Sequence, residues 1–238
     1  MIKVKNISKS YKDAIVLNNV SLEINKGDFT AVMGPSGSGK STLLYSISSM
    51  DNPDEGEVVF EGIDVYKLSE SELSKFRLNK MGFVFQNSQM LKNLSIFDNI
   101  ILPGMVAKRE SIEVVRARAT ELMSKMGIED IKDRDIREVS GGQLQRAAIC
   151  RAMINSPEIL FMDEPTGALN SEAASQVMEI LKKLNQEGIS IMLVTHDAKM
   201  ASMAKKVIYI KDGKLAGEIK LSNEKEALAE LDLWLKTI

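Results

Sequence analysis

The stretch Gly34-Pro35-Ser36-Gly37-Ser38-Gly39-Lys40-Ser41 constrains this chain more than any other. It fits the pattern G-x-x-x-x-G-K-[ST], whose glycines let the backbone turn successive N–H groups toward one point. The apolar run Ala31-Val32-Met33 before it reads as a buried strand, and Thr42-Leu43-Leu44-Tyr45-Ser46-Ile47 after it reads as the opening of a helix. A helix N-terminus adds partial positive charge where those amides converge. Lys40 can reach the outer phosphates of a nucleotide, and the Ser41 hydroxyl can hold Mg²⁺. Strand, loop and helix in that order predict an α/β fold with a phosphate-loop NTPase core.

The rest of the composition narrows the partners. Lys plus Arg number 31 and Asp plus Glu 33, for a formal net charge of −2, which argues against a dedicated nucleic-acid binder. Cys150 is the only cysteine, so no intrachain disulfide and no Cys-rich metal site is available; between apolar neighbours it reads as a buried, inert thiol. No apolar core of a signal peptide follows Met1, and nowhere do about 18 apolar residues run together. Work at a membrane would therefore need a partner that supplies the spanning part.

Read in order, residues 2–30 look like strands and turns, with Ile2 and Ile7 in one strand and Val16, Val20, Leu22 and Ile24 in further extended stretches. This predicts an N-terminal antiparallel β subdomain. Residues 57–60 and 81–85 read as strands and 69–79 as a helix. Residues 87–157 read mostly as helix. Within them Ile112, Val115, Ala119, Leu122 and Met126 form one stripe, and a second helix runs over 141–154. The expected organisation is a single domain, 1–238, with 1–86 and 158–238 as the nucleotide-binding core, mainly parallel in its sheet, and 87–157 as an inserted helical subdomain. Residues 171–187 read as an amphipathic helix, 207–210 and 215–219 as a closing hairpin, and 224–238 as a helix with Leu228, Leu231 and Leu235 on one side.

Four apolar strands, at 31–33, 83–85, 159–162 and 191–194, each end in a group suited to phosphate chemistry. These are the loop with Lys40, then Gln86, then Asp163-Glu164, then His196. Ligands of open parallel sheets bind beyond the carboxyl ends of the strands, so a doubly wound sheet would gather all four at one edge. Asp163 fits a second Mg²⁺-organising position. Glu164 beside it is placed to orient or deprotonate a water, and His196, the only histidine, can donate a hydrogen bond to developing charge. Ser140 and Gln143 form a capping box at the start of the 141–154 helix, where Gly141 and Gly142 leave bare amides.

With Val139-Ser140-Gly141-Gly142-Gln143 in this order after the phosphate loop and Gln86, and before 159–164 and His196, essentially the whole chain resembles the ATP-binding subunit of an ABC transporter. The resemblance implies roles residue by residue. Tyr11 looks like the aromatic that stacks on adenine; read without the resemblance, it is a half-buried sheet tyrosine. Gly34, Ser36, Gly37, Ser38, Gly39, Lys40, Ser41 and Thr42 look like the loop that binds ATP. Gln86 resembles the glutamine that touches Mg²⁺ and the attacking water, Asp163 the Mg²⁺-organising acid, Glu164 the catalytic base and His196 the switch histidine. Ser140, Gly141, Gly142 and Gln143 look like the signature that contacts ATP held by a second copy of the chain.

The same resemblance implies a head-to-tail dimer, an integral-membrane permease as partner, and a place at the cytoplasmic face of the membrane. Glu164-Pro165-Thr166-Gly167-Ala168-Leu169-Asn170 is similar to the lipoprotein-releasing and macrolide- or peptide-antibiotic-exporting branch. The family usually carries Asp where Asn170 stands; Asn keeps the size and one acceptor. Met90, Leu91 and Leu94 are positioned to form part of a docking groove or, singly, to pack in the core. Two rival classes are a soluble ABC ATPase without a permease, which usually carries two cassettes or a long coiled coil, and a phosphate-loop kinase, in which Ser140 and Gln143 would have no job.

Overall fold

Phe161 faces one layer of the molecule and its neighbours Leu160 and Met162 the other, and all three are buried. Side chains alternate across a strand, so a strand covered on both faces is apolar along most of its length. In the computed structural model, which describes residues 1–12, 14–222 and 225–238, this is the condition of the central strands.

The chain opens with β1 (Ile2–Tyr11) and β2 (Ala14–Ile24), paired antiparallel. Next, β3 (Phe29–Met33) leads through the 34–39 loop into α1 (Lys40–Ile47). Strand β4 (Glu55–Phe60) returns to pair with β1, and β5 (Ile63–Asp64) follows it. These make a four-stranded antiparallel sheet in the order β2-β1-β4-β5. After α2 (Glu70–Lys80) comes β6 (Met81–Phe85); α3 (Ile96–Ala107), α4 (Ile112–Lys125) and α5 (Gly141–Met153) then precede β7 (Ile159–Asp163). The remainder is α6 (Ser171–Gln186), β8 (Ser190–Val194), the short α7 (Ala198–Ala201), the hairpin β9 (Lys206–Lys211) and β10 (Lys214–Lys220), and α8 (Ala227–Leu235). The second sheet runs β10-β9-β3-β8-β7-β6 and is parallel except for β10.

Leu43, Leu44 and Ile47 of α1 share one core with Ile2, Leu17 and Phe60 of the antiparallel sheet and with Val32, Phe161 and Val194 of the parallel one. The other face of the parallel sheet packs Ala31, Leu160 and Leu193 against α5 and α6. The register then fixes the site. Phe85 pairs with Asp163, Asp163 with Val194, and Val194 with Val32. The strands therefore end level, and the residues that follow each of them emerge at one edge.

Three expectations shift. Ile112 opens α4 on its outer side, 37% exposed, while Met123 joins Val115, Ala119 and Leu122 inside. The C-terminal helix is shorter than 224–238, and Glu224 lies outside the described residues. In α8 Ala227 and Leu231 are buried and Trp234 meets the Tyr209 ring edge-on, whereas Leu228 faces outward. Residues 87–95 are not helical: Asn99 of α3 holds them as a loop, its carboxamide bonding Leu91 at both N–H (2.7 Å) and C=O (3.1 Å).

Asn170 starts α6 by accepting from the Ala173 N–H at 2.9 Å. Aspartate and asparagine cap equally well because either offers one side-chain oxygen. Asn170→Ala should cost about 1 kcal/mol of stability, and Asn170→Asp almost nothing. Urea unfolding of the two variants checks this; equal losses would mean that the cap is not what Asn170 contributes.

Candidate active site

The 34–39 loop is shaped by what it must avoid. Gly34 has φ +150, and a Cβ there would lie 2.0 Å from the Ile210 carbonyl oxygen. Gly39, at φ +100, brings the loop back against β2, where a Cβ would meet the Val16 carbonyl at 2.6 Å. Gly39 precedes α1 without a side-chain cap, and the first turn carries no acid, so the helix start keeps its free amides and positive end. Inside the curve, the Lys40 ammonium donates to the carbonyls of Gly34 (2.9 Å) and Pro35 (2.8 Å). Ser36 and Gly37 are exposed, while Ser38 is buried with a hydroxyl that has no partner among the described residues. A cradle of amides, one buried cation and an unsatisfied hydroxyl fits an anionic ligand.

Asp163 ends β7 almost fully buried. Its Oδ1 accepts from the Ser41 hydroxyl at 3.0 Å and its Oδ2 from the Tyr45 hydroxyl at 2.8 Å. The Ser41–Asp163 pair presents hard oxygen donors of the kind Mg²⁺ takes when the rest of its shell is water and phosphate, so these residues fit that ion.

Glu164 follows with φ +48, a left-handed backbone that costs a non-glycine residue on the order of 1 kcal/mol. The turn is held from both sides, by Glu164 N–H donating to Val194 (3.0 Å) and Gly167 N–H donating to Glu164 (3.1 Å). It swings the carboxylate to His196, whose Nδ1–H donates to Oε1 at 2.9 Å. His196 is 72% exposed and Glu164 only 19%, so the imidazole is the outer member of the pair. Gln86 leaves β6 beside this turn; a Cβ on Gly167 would lie 3.0 Å from its Nε2. Its carboxamide thus sits against Gly167, while the oxygens of Asp163 are taken up by Ser41 and Tyr45.

Tyr11 ends β1 at 45% exposure, as a half-buried sheet tyrosine would be. Its hydroxyl donates to Asp51 Oδ2, and Asp51 Oδ1 takes the Lys9 ammonium at 3.0 Å. Thr42, at the start of α1, also interacts with this phenol. The ring therefore stands beside the phosphate loop with its polar end tied down.

Ser140 caps α5 by the expected box. It accepts from Gln143 N–H at 3.2 Å, and the Gln143 side chain accepts from Ser140 N–H at 2.9 Å. Gly141 and Gly142 face Leu169 and Ala173, where added Cβ atoms would come to 3.4 and 3.1 Å. Ser140 and Gly141 are exposed. Among the described residues no hydrogen bond joins this helix start to the 34–41 loop, to Asp163 or to Glu164. The structure brings Lys40, Ser41, Asp163, Glu164 and His196 to one edge and leaves Ser140, Gly141, Gly142 and Gln143 as a separate surface.

Residues 17–167 match the family model described as ABC transporter. The chain belongs to that family. It is an ABC ATPase, an ATP-binding and ATP-hydrolysing cassette of the kind found in transporters. The cassette is 43% identical to the ABC transporter ATP-binding protein YxdL of Bacillus subtilis, over 97% of this chain and 91% of the relative. It is also 43% identical to the macrolide export ATP-binding/permease protein MacB of Campylobacter jejuni, where all of this chain covers 36% of a longer protein. Among solved structures, the dimeric post-hydrolysis state of the cassette MJ0796 of Methanocaldococcus jannaschii, bound to ADP and Pi, superposes with a TM-score of 0.87 at 41% identity. The match covers 94% of this chain and all of that one.

Sequence reasoning passed over Tyr45, Lys9, Asp51 and Arg151. Only Tyr45 had a local signal: it lies four residues after Ser41 and so shares its helical face. Arg151 donates to the carbonyls of Ser88 (2.6 Å) and Gln89 (2.8 Å), and Gln145 to that of Phe85 (3.3 Å). These bonds tie the segment after β6 to α5.

Proposed function

We propose that this ABC ATPase drives a membrane permease and works as a head-to-tail pair of identical chains that holds two ATP molecules between them. The observation that carries the pairing is the position of Ser140: a capped, exposed helix start, apart from the phosphate loop of its own chain, has amides to offer only to a nucleotide held by another. That the MJ0796 cassette is dimeric with ADP and Pi bound supports the pairing of two chains.

In this reading Tyr11 stacks on the base, and Lys40 with the amides of 34–42 binds the phosphates. Ser41, Asp163 and Gln86 would hold Mg²⁺, which when bound neutralises charge on the transferred phosphoryl group. Glu164 orients the attacking water and takes its proton. In its protonated form His196 donates from Nδ1 to Glu164 and from Nε2 to the terminal phosphate. Ser140 and Gly142 complete the site from the second chain.

Among the described residues no helix is long and apolar enough to cross a membrane, so the spanning part of such a complex is assigned to the permease, with the cassette at its cytoplasmic face. A groove of about 320 Å³, lined by Phe83, Phe85, Pro103, Arg151 and Asn155, is the docking place. Of the expected docking residues Met90 is buried, Leu94 half-buried and Leu91 51% exposed, which makes Leu91 the one suited to contact. Through Arg151 the groove reaches the loop after Gln86 and the helix that starts at Ser140. The cargo class is a peptide antibiotic or a lipid-linked molecule, a reading supported by the segment 164–170 and its similarity to the lipoprotein-releasing and antibiotic-exporting branch.

The pairing is tested by solution mass. The Glu164→Gln protein should double its mass with Mg-ATP, and adding Ser140→Ala should return it to a monomer. Dimerisation that ignores Ser140 would remove the signature from the interface.

A further inference from the structure

Tyr45 belongs to none of the motifs, yet it holds one of their residues. It stands one helical turn after Ser41 on α1, and the two hydroxyls reach the same carboxylate, Ser41 at Oδ1 and Tyr45 at Oδ2. Asp163 is 9% exposed, so water does little to satisfy either oxygen. Two donors at fixed spacing on one rigid helix leave the carboxylate a single orientation. The turn that carries it is itself fixed: the Tyr45 carbonyl accepts from the N–H groups of Met50 (2.9 Å) and Asp51 (3.2 Å).

We propose that Tyr45 is a positioning residue for the metal site. It clamps Asp163 in the orientation that organises Mg²⁺ at Ser41. The inference rests on the reading of Asp163 as the Mg²⁺-organising acid and adds a partner that the reading lacks. A carboxylate with one oxygen released can rotate about its last bond and ceases to present a fixed acceptor to the Ser41 hydroxyl. Removing such an outer partner commonly costs 10- to 100-fold in metal affinity.

The experiment measures nucleotide binding rather than turnover. In a Glu164→Gln background, ATP affinity is titrated against Mg²⁺ with and without Tyr45→Phe, a change that removes one oxygen and keeps the ring. The Mg²⁺ concentration at half-effect should rise about tenfold, and affinity for ATP in EDTA should stay within about twofold. An unchanged Mg²⁺ midpoint overturns the proposal. Equal losses with and without Mg²⁺ also overturn it, because Tyr45 would then act on the packing of the phosphate loop. If the Glu164→Gln protein itself binds ATP identically with and without Mg²⁺, the reading of Asp163 fails, and the proposal with it. A normal Mg²⁺ dependence there, left untouched by Tyr45→Phe, fails the proposal alone.

Discussion

Glu164→Gln is expected to bind ATP as tightly as the parent and to hydrolyse it on the order of a thousandfold more slowly. Glutamine keeps the size of the side chain and an oxygen for the 2.9 Å bond from His196, so the turn at φ +48 and the pair it creates survive. What disappears is the carboxylate placed to accept a proton from water. Asp163 cannot take over, since both its oxygens are engaged by Ser41 and Tyr45. Phosphate release at saturating ATP, with affinity measured separately, separates the two quantities. Turnover within tenfold of the parent would take the role of base away from Glu164.

The second large effect is expected from Lys40→Ala, and it falls on binding instead. The Lys40 ammonium is buried within the loop and spans it through the Gly34 and Pro35 carbonyls. Its loss removes the cation the phosphates would meet and leaves two carbonyls without their donor. Charge-assisted hydrogen bonds of this kind contribute about 1.5–3 kcal/mol each. Losing one or two corresponds to a fall in ATP affinity of about 10- to 10,000-fold, and the buried position argues for the upper part of that span. Equilibrium titration with ATP decides it; an affinity within threefold of the parent would mean that the loop amides bind the phosphates unaided. The two variants thus separate along different axes, one in rate and one in affinity.

The parallel core was readable because burial on both faces makes its strands apolar along most of their length. Ile159, Leu160, Phe161 and Met162 announce a strand and, by stopping at Asp163, announce where it ends. The edge of the sheet where Lys40, Glu164 and His196 gather follows from that alone. Periodicity is weaker at borders: it finds the stripe of α4 but does not say that Ile112 falls outside it and Met123 within. Pairing between distant segments leaves no local trace. Nothing near β1 says that it will take β4, about 50 residues on, as a neighbour, or that Lys9 and Tyr11 will meet Asp51. The link from Arg151 to Ser88 and Gln89 is of the same kind. Tyr45 is the exception, an i, i+4 neighbour of Ser41 that spacing alone puts on the same face.

The distance between Ser140 and the Lys40 loop within one chain also bears on inheritance. In the proposed head-to-tail pair, each composite site draws its phosphate loop from one copy and its signature from the other. A copy defective at Lys40 and a copy defective at Ser140, assembled together, concentrate both defects in one site and leave the other with two sound halves. Alleles that are each null alone would then complement within a mixed dimer. Two alleles defective in the same half would not, because every site they build contains the fault.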